Sequence, residues 1–139
     1  MSDENELPEL PEGIGPHEGR ELELMLAGKK PLAMFSEAVA VPVSDLYPEE
    51  DFMPYVESGA LIRRDEIYHP RNLPMAVHAV YYALPGEEWR IEEIHALQSI
   101  FAHGERKRSE DDERAIGRLL GYSENDILKF IEWARTITF

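Results

Sequence analysis

The chain contains no cysteine among its 139 residues, and this absence excludes three classes of function at once. It rules out a disulfide-stapled scaffold, a metal site built on thiolates, and catalysis by a cysteine nucleophile. Long hydrophobic runs are also missing, since no stretch approaches the roughly 20 apolar residues that a membrane-spanning helix needs. The first residues, MSDENELPELPEG, are acidic and lack the apolar core of a secretory signal. We therefore expect a cytoplasmic protein without a membrane segment.

Basic residues are scarce relative to acidic ones. Twenty-eight Asp and Glu residues stand against fourteen Lys and Arg, so the formal net charge is −14 and the isoelectric point is near 4.7. A negative field of this size repels phosphate backbones and anionic lipids, which argues against direct binding to nucleic acid or to membranes. It attracts a basic surface on another protein, although acidity also serves solubility alone.

Three catalytic signatures are absent: the Gly-x-Ser-x-Gly nucleophile elbow, the His-Glu-x-x-His zinc helix and the glycine-rich phosphate loop. The residues best suited to proton transfer near neutral pH are His78 and His95, with Glu92 one helical turn before His95. These three side chains could form an acid–base pocket between a sheet and helices. The alternative for His78 is a buried strand histidine that is hydrogen-bonded to a neighbour. The alternative for Glu92 and His95 is an ion pair on the surface of a helix.

The Glu92-x-x-His95 spacing is also that of the ligand pairs in carboxylate-bridged di-iron bundles. Such a site needs a second pair of this kind on another helix. The only other match, Glu66-x-x-His69, lies in a predicted strand, where residues three apart point to opposite faces. We therefore predict neither a metal site nor a cofactor.

Hydrophobic periodicity predicts strands and short helices first and longer helices last. The segments PLAMFSEAVAVPV, ALIRRDEIYHP and MAVHAVYYALP favour strands, and HEGRELELMLAGKKP and YPEEDFMPYVESG favour short helices. The third strand is apolar on both faces, which predicts a central position.

From residue 86 onward the pattern becomes helical, with three predicted helices. The predicted fold class is α+β: a small, mostly antiparallel sheet with short N-terminal helices and a C-terminal three-helix segment. Residues 1–16 are predicted to form a flexible acidic arm, and residues 17–139 a single domain whose helical part spans about 86–139.

The segment GRLLGYSENDILKFIEW, residues 117–133, resembles a prokaryotic helix-turn-helix unit in its spacing. Gly121 falls at the turn, Ile127 follows six residues later to pack the second helix, and Gly117 occupies the small-residue position four before the turn. In such units the start of the second helix meets bases and phosphates. Here that start carries Glu124 and Asp126, which phosphate oxygens repel. A simple helical hairpin and an acidic, protein-facing surface therefore stand beside DNA reading as interpretations.

Two Ser-x-x-Asp pairs lie at predicted helix starts, Ser109 with Asp112 and Ser123 with Asp126. Both resemble capping boxes with Asp in place of Glu. They predict that the last two helices begin just after residues 109 and 123.

Aromatic side chains lie among carboxylates, most clearly between residues 44 and 57, where no base occurs. Aromatic residues are frequent anchors of protein interfaces. The candidate partner-binding residues are Glu49, Glu50, Asp51, Phe52, Tyr55, Trp89, Glu124 and Asp126.

The leading hypothesis is a small acidic, non-enzymatic protein-binding module that docks onto a basic surface of a partner protein. An inhibitor or immunity-type antagonist of a nucleic-acid enzyme is one form that such a module takes, by analogy of charge alone. The alternative is a small enzyme or ligand-binding domain that uses His78, His95 and Glu92. Convergence of these three side chains in one concave site would favour the alternative.

Overall fold

The computed structural model describes residues 19–38, 47–71 and 74–136, and the predicted acidic arm over residues 1–16 lies outside them. The described residues form three strands and five helices. In chain order these are α1 (Glu21–Leu26), β1 (Leu32–Ala38), α2 (Glu49–Glu57), β2 (Ile62–Tyr68), β3 (Val77–Ala83), α3 (Trp89–Ala102), α4 (Glu110–Leu119) and α5 (Glu124–Thr136). The α+β class and the C-terminal helical segment predicted from the sequence are confirmed. The end of the first predicted strand segment, including Pro42, lies outside the described residues.

The three strands form one antiparallel sheet in the order β1-β3-β2. The register places Tyr81 of β3 opposite Met34 of β1 on one side and Arg64 of β2 on the other. The central position of β3 follows from its composition, because both of its faces are apolar. Tyr81 and Tyr82, which face opposite sides of the sheet, are each 0% exposed. The prediction of a central strand is confirmed.

Each face of the sheet carries its own hydrophobic core. On one face, α3 and α4 cover the sheet with a cluster that includes Tyr81, Ile91 and Ile116. On the other face, α1 and α2 contribute Met25 and Phe52 to a second cluster, which also contains Tyr82. Side chains on α3 and on α2 are therefore separated by the full thickness of the sheet.

Helices α4 and α5 form a closely packed hairpin. A Cβ atom added to Gly117 of α4 would lie 2.7 Å from Cγ1 of Ile127 in α5, so a larger residue here would force Ile127 or the two helices to shift. Gly121 in the connecting turn has φ of +87°, in the left-handed region that favours glycine. The roles that the sequence predicts for Gly117, Gly121 and Ile127 as a hairpin scaffold agree with these contacts.

Capping residues begin both of these helices. Ser109 Oγ accepts a hydrogen bond from the Asp112 backbone N–H, and an Asp112 carboxylate oxygen accepts one from the Ser109 backbone N–H at 2.8 Å, which completes the predicted capping box. Ser123 Oγ accepts a hydrogen bond from the backbone N–H of Asp126 at 3.1 Å. Both helices therefore begin where the sequence predicts.

A buried lysine joins the start of the sheet to the α4–α5 turn. Lys30 is 2% exposed, and its Nζ donates to the backbone carbonyl of Leu120 at 2.7 Å. The same ammonium lies 4.8 Å from the centre of the Tyr122 ring. Burial lowers the pKa of Lys30 to about 8, and the nearby Glu21 carboxylate opposes that shift. The hairpin is thus attached to the residues that lead into β1.

Within the described ranges no helix combines the length and the apolar character that crossing a bilayer demands.

Candidate functional site

The solvent-facing side of α2 is an acidic surface with one aromatic side chain. Its exposed residues are Glu50, Asp51, Pro54, Tyr55 and Glu57, and we call them the α2 outer face. The helix is fixed to the sheet from its opposite side, where Phe52 enters the core. Asp51 and Tyr55 are one turn apart and so share a line along the helix, while Glu50 and Glu57 are two turns apart, roughly 10 Å along the axis. The α2 outer face therefore offers three carboxylates and a phenol ring, and no base.

The structure does not place all of the predicted partner-binding residues on this surface. Phe52 is 1% exposed and packs against the Tyr47 and Tyr82 rings, so its prediction as a surface anchor is wrong. It has the apolar character of an anchor, but it lies on the side of α2 that is buried against the sheet. Glu49 is turned toward β2, where its carboxylate accepts a hydrogen bond from Arg63 Nη2 at 3.1 Å.

The remaining three predicted residues lie on other elements. Trp89 begins α3 and is 52% exposed, and the Arg90 guanidinium lies 4.6 Å from the centre of its ring. Glu124 begins α5 and forms an ion pair with Arg118 of α4 at 2.6 Å. Asp126 is half-buried. These residues do not join the α2 outer face.

Almost all of the arginines form ion pairs within the chain, whereas acids outnumber the bases that could pair with them. Nine of the ten arginines form an ion pair with an Asp or Glu side chain. The described residues contain 21 acids and 14 bases, a net charge of −7, and the other seven acids of the chain lie outside them. The arginines therefore neutralise acids in place, and the α2 outer face keeps its negative charge.

The predicted pocket of His78, His95 and Glu92 does not form, because the residues lie on opposite faces of the sheet. His78 is on the α2 side, where its Nε2 lies 2.9 Å from a carboxylate oxygen of Asp65. His95 and Glu92 are on α3, on the other side, and Glu92 forms an ion pair with Arg64. Alternation along β3 places His78 on the face opposite to Tyr81, and the local sequence pattern does not determine which of the two faces α3 covers.

A hydrogen-bonded chain of side chains lies between β2, β3 and α3. Tyr68 Oη is 2.7 Å from Tyr81 Oη and 2.8 Å from His95 Nδ1. Burial raises the pKa of both Tyr68 and Tyr81, so both phenols are neutral at physiological pH. The sequence indicates His95 and the neighbouring Tyr81 as candidates, but it does not indicate Tyr68, which joins them. The sequence feature that could have identified this pair is the alternation of side chains in β2 and β3, which places Tyr68 and Tyr81 on one face once the register is known.

Within residues 19–38, 47–71 and 74–136, no group of three or more His, Asp or Glu side chains is arranged to hold a metal ion. Most of the close ion pairs among the described residues join a carboxylate to an arginine, and Asp65 and Glu66 also lie near His78 and His95.

Comparison of the chain with protein-family models, with curated proteins and with solved structures gives no significant match.

Proposed function

We propose that this protein is a small acidic binding module, without enzymatic activity, that docks onto a basic surface of a partner protein. The observation that carries the proposal is the α2 outer face, where three exposed carboxylates surround an exposed Tyr55 and no base is present. An aromatic ring among carboxylates suits a basic partner, because the ring enters a pocket while the acids pair with lysine or arginine around it.

The charge distribution supports the same interpretation. Because nine arginines already pair with acids of the same chain, the field outside the protein comes from acids that no base offsets. A net charge of −14 speeds the approach of a basic partner at low ionic strength. The same field opposes approach to nucleic acid, so the partner we propose is a protein, and an inhibitor or antagonist of a nucleic-acid enzyme fits this charge.

The position of α2 supports docking as a rigid body. Phe52 packs among the rings of Phe35, Tyr47 and Tyr82, and the hydroxyls of Tyr47 and Tyr82 are 2.6 Å apart. A helix held in this way presents its outer face without further ordering, which lowers the entropic cost of binding.

The test captures partners from the native host on immobilised protein and then measures the affinity of a purified partner. We expect the double variant Glu50→Gln and Asp51→Asn to lose at least tenfold in affinity, because two carboxylates leave the proposed contact. The matched control is Glu93→Gln with Glu132→Gln, which removes the same charge from exposed positions on α3 and α5. The control reports the effect of net charge alone, so its loss should be small and confined to the association rate.

The Tyr55→Ala variant tests the aromatic anchor, and a loss of about tenfold or more is expected for a central interface residue. Phe130→Ala serves as its control, since Phe130 lies on α5 and is as exposed as Tyr55, at 36% each. If both charge variants weaken binding equally, or if binding does not change between low and high salt, docking through the α2 outer face is refuted.

A further inference from the structure

A cleft opens on the opposite side of the sheet, between β1, β3 and the C-terminal half of α3. Its volume is about 180 Å³. The walls are mostly apolar, with the rings of Tyr68 and Phe101 among them, and the polar side chains at the cleft include Ser36 and Gln98. None of the described residues that line it is charged. The cleft is therefore suited to a neutral guest, because an ion placed there would lose hydration without gaining a counter-ion.

The Gln98 side chain has a weak hydrogen bond in the protein. Its Nε2 donates to the thioether sulfur of Met34 at 3.7 Å, and within the described part of the chain the amide makes no other hydrogen bond. A thioether is among the weakest acceptors that a protein provides. A half-buried amide that makes only this bond would gain from a ligand that offers a stronger acceptor and a donor.

The size of the cleft limits the guest to about one ring. A dry cavity of roughly 150 Å³ is large enough to hold benzene. The two aromatic rings in the wall favour a flat guest, because offset stacking and edge-to-face contacts add to the gain from apolar burial.

We propose that this cleft binds a neutral, single-ring molecule with an amide-like edge, in which a hydrogen-bond acceptor lies next to a donor. The ring lies against Tyr68 and Phe101, and the edge bonds to Gln98 and Ser36. This site lies on the other face of the sheet from the α2 outer face, and it stands independently of the docking function.

The experiment is a titration of the ¹⁵N-labelled full chain with benzamide, followed by NMR, with toluene as the probe that has the same ring and no amide edge. Benzamide is expected to give saturable shifts at Ser36, at residues 77–79 and at residues 98–102, and toluene is expected to bind at least fivefold more weakly.

Variants separate recognition from packing. Gln98→Leu removes the amide at similar volume, and we expect its benzamide affinity to fall about five- to tenfold, as for one lost hydrogen bond. Met34→Leu removes the sulfur acceptor and leaves the amide, so its affinity should equal or exceed that of the wild type. Ser36→Phe places a ring at the mouth of the cleft from an exposed strand position, and it should abolish binding. A wild-type urea midpoint in each variant shows that the fold is intact.

Three results would overturn the proposal. The first is a benzamide response that stays linear or maps away from the cleft. The second is equal affinity for toluene and benzamide. The third is a folded Ser36→Phe variant that binds benzamide as tightly as the wild type.

Discussion

The close approach of α4 and α5 makes a quantitative prediction about Gly117. In the Gly117→Ala variant the new Cβ would lie 2.7 Å from Cγ1 and 3.0 Å from Cδ1 of Ile127. Carbon atoms in contact are normally 3.5–4.0 Å apart, so the helices or the Ile127 side chain must shift. The substitution changes no polar group and no charge, and therefore it tests packing alone.

Two opposing effects determine how much Gly117→Ala changes the free energy of unfolding. Overpacking in a close-packed interior costs roughly 1–3 kcal/mol. Replacing a glycine in a helix interior by alanine returns about 0.5–1 kcal/mol through lower chain entropy in the unfolded state. We expect Gly117→Ala to lower the free energy of unfolding by about 1 kcal/mol, since the packing cost exceeds the helix gain.

The sign should reverse when Ile127 is truncated. In an Ile127→Ala background the nearest remaining atom of residue 127 is its Cβ, at 3.7 Å in the present geometry, which is an ordinary contact. Gly117→Ala should then raise the free energy of unfolding by about 0.5–1 kcal/mol. Ile127→Ala alone should lower the free energy of unfolding by about 2–5 kcal/mol. If this variant is too unstable to give a clear folded baseline, the same concentration of a stabilising osmolyte is added to all samples.

The assay is urea unfolding at 25 °C of the wild type, the two single variants and the double variant, followed by circular dichroism. The interaction between the two sites is the difference between the effects of Gly117→Ala in the two backgrounds. An effect of the same sign and size in both backgrounds would refute the contact between Gly117 and Ile127.

Two further predictions concern the turn between these helices. Gly121→Ala should lower the free energy of unfolding by more than Gly86→Ala. Both glycines have positive φ, but of the two only Gly121 has a neighbour that an added Cβ would meet, since Cδ of Pro31 would lie 2.5 Å away. Equal losses in urea unfolding would contradict that contact. The pKa of Lys30 is lowered from 10.5 to about 8 in the folded protein, so between these pH values the unfolded chain holds the proton that the folded protein has lost. The free energy of unfolding should therefore rise with pH, by roughly 2 kcal/mol between pH 7.5 and 9.5. The Lys30→Met variant should lack this rise, and an equal rise in both proteins would refute the assignment to Lys30.

The sequence predicts those parts of the fold that depend on local chemistry. The central position of β3 follows from its two apolar faces, and the start of α4 follows from the reciprocal bonds of Ser109 and Asp112. The α4–α5 scaffold follows from the spacing of Gly117, Gly121 and Ile127, because glycine and a branched apolar residue meet specific geometric needs there.

The candidate site was less predictable, since it depends on which way each side chain points. Phe52 and Tyr55 lie in the same short acidic helix, yet one is in the core and the other is exposed, because α2 presents only one side to the sheet. His78 and His95 share a residue type, but His78 lies on the α2 side of β3, whereas His95 lies on α3, which covers the other side. The cleft beside Gln98 arises from contacts between β1 and α3, which are distant in sequence and give no local pattern.

The order β1-β3-β2 has a consequence for synthesis of the chain on the ribosome. Neither outer strand has a partner in the sheet until β3, the last strand in sequence, has emerged and taken its place between them. At 5–20 residues per second, the 45 residues that separate the starts of β1 and β3 take several seconds to make. During that time the backbone groups of β1, and of β2 once it has been made, are open to wrong pairing, and charged residues such as Arg63 and Asp65 in β2 discourage it. The charges of β2 that form ion pairs in the folded protein therefore also oppose wrong pairing of that strand before the sheet exists.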